Sequence, residues 1–416
     1  MRTTRTLTVV VALGLAAAMT LTGCSKKNDS SGTSNAAAPS TPGAAGAPTS
    51  AGAPTSAGAP SSAAAPSSAA ARSSGAPSSA AAASSGPAAA SSAPAASSAP
   101  AASSGSAAPA SGKKFKIAFV PKLQGVPYFE AMNAGGKAAA AALPDVEWLY
   151  QGPVKADAAA QADIVRSYVQ QKVDVLIVAP NDPDSMAPLL KQASAAGIKV
   201  ATADTDAPTS VRSVFVNQAS EQGIGEGLTD ALMKAMGGKG KYAIVSCGQT
   251  AANLNAWIKV QKAYTASKYP NAQIVDTVYA GEDQNEATKQ ATNLLNAHPD
   301  LTGLVGECTS SAPGVAQAVR DADKIGKVFT VGLGTPQSMK DYLADGSSSA
   351  SILWDVQNLG YLTAWAGEQL AAGKTFAATN KVSDKLPAVK YDAATKVLLL
   401  GPALSITKQN VDQFNY

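Results

Sequence analysis

Carboxylates, amides and aromatic rings recur at one kind of place in this 416-residue chain, just after short runs of β-branched and apolar residues. Lys122, Tyr128 and Phe129 stand in KLQGVPYF (122–129), Asp204 and Asp206 in DTD, Asn253 and Trp257 in GQTAANLNAW, Thr309 in ECTSS, and Trp354 in WDVQ. PND (180–182) and GTPQ (334–337) complete the set. A carboxylate or an amide offers two hydrogen-bonding atoms side by side and so matches two adjacent hydroxyls. Aromatic rings supply a flat apolar surface for the carbon face of a pyranose. Loops are polar in most proteins, but rings and paired hydrogen-bonding groups on segments far apart in sequence fit a polyol or sugar site.

The individual residues carry different weight. Asp204 follows a buried strand pattern and precedes Asp206, so one of the two contacts ligand while the other caps or pairs locally, and Asp204 has the better claim. Lys122 is either a ligand contact or a solvated loop lysine. Trp354 is either a stacking platform or core. Trp257 shares a helical pattern with Ile258 and Tyr264 and reads as core, whereas Asn253, at the edge of that helix, is free to meet a ligand. No catalytic residues, metal or cofactor are expected, and the chain is not read as an enzyme. Its single histidine, His298, lies in a helix end followed by a turn, which supports neither a Ser/His/Asp triad nor a His-rich zinc site. GIGEGL (223–228) lies within a helical pattern and lacks the Lys-Ser/Thr of a phosphate loop. Cys247 and Cys308 end what would be neighbouring parallel strands, a placement that rarely satisfies disulfide geometry, and it weighs against a bridge.

These groups need a scaffold, and the chain from residue 113 alternates strand and helix. FKIAFV, VEWLY, DVLIVA, IKVATAD and VFVNQ form a first round of strands, with helical faces between them. YAIVSC, IVDTVY, GLVGEC and VFTVGL form a second. The fold class is therefore α/β, with two doubly wound parallel-sheet lobes. SILWDV, a helix near 359–371 and VLLLG are left to join them. Residues 113–217 plus about 356–395 are assigned to the first lobe, and 218–355 plus about 396–416 to the second. Ligands of such sheets sit beyond the carboxyl ends of the strands, so two facing edges make a cleft between the lobes.

The amino-terminal segment gives an address. Arg2 and Arg5, an apolar stretch from Thr8 to Thr20, and LTGC ending at Cys24 have the order of a secretory signal over residues 1–23. The closing box resembles that of bacterial lipoproteins, which implies lipidation of Cys24 and a place at the outer face of the cell membrane. The apolar run is shorter than the roughly 20 residues needed to span a bilayer. Residues 24–112 are almost wholly Ala, Ser, Pro, Gly and Thr and lack the apolar surface that offsets ordering, so they read as a disordered tether. The net charge of +4 resides in the signal and tether, and the balanced remainder offers no basic face for nucleic acid.

With these residues in view, the chain resembles the solute-binding proteins of bacterial ABC importers, specifically the ribose-binding superfamily and nearest its autoinducer-2 and rhamnose branch. The matches are IAFVPKLQGVPYFEAM, VATADTDAP, VGLGTPQSM, SILWDVQNLGYL and LLLGPALSITKQNVDQFNY. The resemblance implies two lobes on a three-stranded hinge, closing on one small ligand for delivery to a membrane permease, with the protein acting as a monomer. By position it makes Lys122 the basic ligand contact, Asp204 the first-lobe carboxylate, and Tyr128 and Phe129 the aromatic pair. The Asp-Gln pair of autoinducer-2 binders falls on Asn253 and Leu254, and their Pro and Ala contacts on Glu307 and Thr309. The second-lobe Asp of ribose binders falls on Gly334, and their Arg on Thr205. Neither ligand set is complete, which leaves rhamnose, another deoxy sugar or a sugar alcohol. The alternative role is sensory, presenting a sugar-like or autoinducer-like signal to a membrane receptor.

Overall fold

The computed structural model describes residues 114–416, so the signal, Cys24 and the tether lie outside the described residues. The β-branched runs pair into two sheets. The first has eight strands in the order β11-β12-β13-β5-β4-β3-β1-β2. Its parallel centre is β1 (Phe115–Val120), β2 (Val146–Tyr150), β3 (Val175–Val178), β4 (Lys199–Ala203) and β5 (Phe215–Asn217). Helices α1 (Pro127–Ala142), α2 (Ala158–Gln170) and α3 (Pro183–Ala195) connect them. Pro127 and Pro183 sit in the first turns of α1 and α3, where a missing N–H costs nothing.

The second sheet has six strands in the order β14-β10-β9-β8-β6-β7. It is built from β6 (Gly240–Ser246), β7 (Ala272–Tyr279), β8 (Leu301–Gly306), β9 (Phe329–Gly332) and β10 (Ala350–Leu353), with β14 (Leu404–Ile406) antiparallel on β10. Its helices are α4 (Glu221–Met236), α5 (Ala252–Lys268), α6 (Gln284–Ala297), α7 (Ser311–Asp321) and α8 (Pro336–Asp345). GIGEGL lies inside α4, as its pattern required.

The chain passes between the sheets three times. It leaves after β5, returns after β10 into α9 (Val356–Ala371), which packs on α1 and the first sheet, and leaves again after β13. Residues 397–399, expected in the second lobe, instead form β13 (Val397–Leu399) in the first sheet. They pair parallel with β5 and antiparallel with β12 (Val389–Asp392), which in turn pairs with the short β11 (Thr379–Asn380). The added strands satisfy backbone groups that would otherwise leave β5 as an open edge. One apolar cluster runs from α1 and α9 through Trp354 and Trp257 to α4 and the second sheet. The outer faces are closed by α2 and α3 on one lobe and α6 and α7 on the other.

Candidate functional site

Asp204 follows directly on β4, with φ of 65°. Left-handed backbone is unfavourable for a non-glycine residue, and here it is held by Asp204 N donating to Val216 O at 3.1 Å and by Thr205 N donating to Ala203 O at 2.7 Å. The kink turns the carboxylate into the cleft, where it is 4% exposed. Tyr128 Oη donates to its Oδ1 at 2.6 Å and Thr205 Oγ1 to its Oδ2 at 3.1 Å. Lys122 Nζ lies 3.9 Å from Oδ2. Asp206 pairs with Arg212, the local pairing expected of one of the two acids.

Lys122 is buried as well, 4% exposed, rather than a solvated loop lysine. Its loop is pinned from below: Asn181 Nδ2 donates to Lys122 O at 2.8 Å, and Gln161 Nε2 donates to Pro121 O and Ala179 O. From the opposite lobe, Asn253 Oδ1 accepts from Lys122 Nζ at 3.0 Å. Asn253 is the second residue of α5, so the amino end of one helix carries an amide across the cleft to the other lobe's cation.

Four rings close the cavity. Phe129 meets Tyr128 edge-on at 5.0 Å, Tyr128 meets Trp354 at 6.0 Å, and Trp354 meets Trp257 at 5.8 Å. Trp354 Nε1 donates to Tyr128 Oη at 3.2 Å. Trp354 is thus buried and cavity-lining at once, and Trp257, read as core, lines the cavity too. Thr309, Leu254, Leu333, Cys308 and Glu282 complete the lining. All seven ligand residues expected from sequence therefore meet around one cavity. It measures about 30 Å³, room for a water or two, against the ~300–1,000 Å³ of ligand pockets. The lobes are closed on each other, and a ligand larger than this space enters only when they part. A second cavity of about 730 Å³ lies on the hinge side among Phe215, Gln218 and Tyr391, and shares Asp204, Asn253 and Trp257 with the first.

Burial and the neighbouring Asp204 hold the Tyr128 phenol well above its ordinary pKa, so it stays a hydrogen-bond donor. Glu282 was not singled out by sequence. It follows β7, and burial together with Asp204 raises its carboxyl while Lys122 opposes the shift. The rule that found the other residues, polar groups beyond strand ends, also covers Ala-Gly-Glu-Asp after β7; being an edge strand, β7 gave no sign that its end turns into the cleft. Glu307 is fully buried outside the cavity lining. Burial pushes its carboxyl up to about 8, against the lowering effect of Gln261, whose Nε2 donates to both oxygens at 2.8 and 2.6 Å.

The strand-end placement that weighs against a Cys247–Cys308 bridge does not prevent one. The two form a disulfide, with Cα atoms 6.1 Å apart. Parallel pairing of β6 and β8 ends at Val245 and Gly306. Both cysteines lie beyond that point, where the backbones no longer hold the side chains in strand orientation.

Comparison with known proteins follows the same lines. Residues 117–375 match the family model described as Periplasmic binding protein domain. The D-ribose/D-allose-binding protein of Pseudomonas aeruginosa is 30% identical over 245 residues, which cover 56% of this chain and 75% of that one. A solved ABC transporter solute binding protein from Clostridium phytofermentas with bound L-rhamnose is 29% identical with a TM-score of 0.68, covering 72% of this chain and 98% of that one. LsrB from Clostridium saccharobutylicum in complex with AI-2 is 27% identical with a TM-score of 0.68, covering 72% of this chain and all of that one.

Proposed function

The chain belongs to the periplasmic binding protein family, among the sugar-binding solute-binding proteins of ABC transporters, and from that premise we propose that it captures a small sugar or polyol outside the membrane for an ABC permease. Its family binds and does not transform its ligand. Cys24 anchors the chain by lipid, and residues 24–112 let the lobes work at a distance from the membrane. The observation that carries this reading is the convergence of Asp204 and Lys122 from one lobe with Asn253 from the other in a single ring-walled cavity. Paired acceptors and donors meet vicinal hydroxyls, while Tyr128, Phe129, Trp257 and Trp354 supply apolar faces. Contacts drawn from both lobes favour the closed form when ligand is bound.

A thermal-shift panel of pentoses, hexoses, deoxyhexoses and polyols, set against amino acids and nucleosides, tests this directly. A true ligand at 100 times its dissociation constant adds about 2.7 kcal/mol. Stabilisation by amino acids or nucleosides alone sinks the proposal. The Asp204→Ala protein should lose the sugar-induced shift, and an unchanged shift would remove Asp204 from the site.

A further inference from the structure

Besides the Trp354–Tyr128 contact, one loop of the second lobe reaches across to the first. Residues 248–253 run from the end of β6 into α5 and supply two hydrogen bonds across the cleft: Thr250 Oγ1 donates to Asn181 O at 2.9 Å, and Asn253 Oδ1 accepts from Lys122 at 3.0 Å. The cap residue of α5, Ala251, makes no side-chain capping bond, and the loop is held locally by Asn255 Nδ2 donating to Gln249 O at 2.8 Å and Ala251 N to Gly248 O at 3.2 Å. The loop's fixed point is Cys247, immediately before it and bonded to Cys308. Cys308 is itself locked by Ser311, whose Oγ accepts from its N–H at 3.0 Å. Cys308 also lines the cavity and precedes Thr309, and the Glu282 carboxylate lies within 4.8 Å of both sulfurs. One bridge therefore ties together two of the second-lobe loops that line the cavity, beyond the point where strand pairing does so.

We propose that the Cys247–Cys308 disulfide is a redox-set positioning element for lobe closure. Oxidised, it holds 248–253 where Thr250 and Asn253 engage the first lobe. A dithiol reductant transfers two electrons and two protons; the S–S bond breaks, two cysteine S–H groups form, and the reductant leaves as its own disulfide. The loop is then released while β6 and β8 remain paired through their backbones. The bridge is 1% and 5% exposed at its two residues, so reductant reaches it from the cleft side, through Cys308, in the open form. The effect on affinity rests on the sugar-capture reading. The effect on the loop does not.

The test compares the full chain oxidised, reduced with dithiothreitol, and as the Cys247→Ser, Cys308→Ser double variant. Hydrogen exchange of residues 248–253 should speed by about tenfold or more in both the double variant and the reduced chain, with β1 and β3 of the first lobe unchanged as the internal control for folding. Affinity for whichever of L-rhamnose, D-ribose and xylitol binds the oxidised chain should weaken about tenfold on reduction, by loss of the closed population. Equal exchange of 248–253 in the oxidised and reduced chains overturns the proposal, as do two free thiols at Cys247 and Cys308 in protein never exposed to reductant. If none of the three sugars binds while the loop still loosens, the positioning role stands and the sugar reading fails.

Discussion

Glu307 shows how far one buried acid can set the behaviour of the second lobe. Its carboxyl titrates near 8 against an ordinary 4.5, so between those values the folded chain holds a proton that the unfolded chain has released. Stability consequently falls as pH rises from about 4.5 to 8, by up to about 1.4 kcal/mol per pH unit. Gln261 Oε1 has no partner, and an amide turned end for end would set that acceptor against the protonated acid. Glu307→Gln keeps an amide partner for Gln261 and removes the charge. Its melting temperature, by calorimetry across pH 5 to 8, should exceed the parent's by several degrees at pH 8 and converge with it toward pH 5. Parallel pH profiles would show that Glu307 does not carry this dependence. Residue type and place sufficed to find Asp204 and Asn253, because each follows a run that reads as a strand. Glu307 and the disulfide were not legible, since proton affinity and sulfur separation depend on packing between residues 46 and 61 positions apart in the chain.

At the scale of elements, the firmest contact in the first lobe is made by the absence of side chains. A Cβ on Gly135 of α1 would fall 1.8 Å from Gln357 O, and one on Gly360 of α9 would fall 1.8 Å from Met132 O. The two helices touch backbone to backbone through these reciprocal gaps. Gly360→Ala should therefore force them apart and cost about 3 kcal/mol, read as a lower urea midpoint with an unchanged slope. A midpoint within error of the parent would mean that the helices separate freely. Apart from the three-residue β14, the strands of the second sheet and the parallel strands of the first were legible to within two or three residues at their ends, because β-branched runs bounded by turn residues have few other solutions. The hairpin of β11 and β12 was not. Its strands are two and four residues long, too short to show a period, and they form only because β5 and β13 offer an edge to extend.

Across the whole molecule, closure depends on few cross-lobe hydrogen bonds. The Thr250–Asn181 and Asn253–Lys122 bonds together contribute about 2 kcal/mol, roughly thirtyfold in the ratio of closed to open forms. The Thr250→Val, Asn253→Ala double variant should show a larger radius of gyration in solution scattering than the parent, in the absence of sugar. Equal radii would assign closure to the ring cluster instead. Two lobes and a cleft were legible from two successive rounds of strand and helix. The degree of closure was not, because it rests on a loop whose residues are individually unremarkable. The ring cluster has a use of its own. Two of the chain's four indoles, Trp257 and Trp354, sit against each other at the seam where the lobes meet, one hydrogen-bonded to Tyr128. Any event that parts the seam changes the polarity around both, so the protein's own ultraviolet emission reports opening, and a cuvette and a titration follow it without a label.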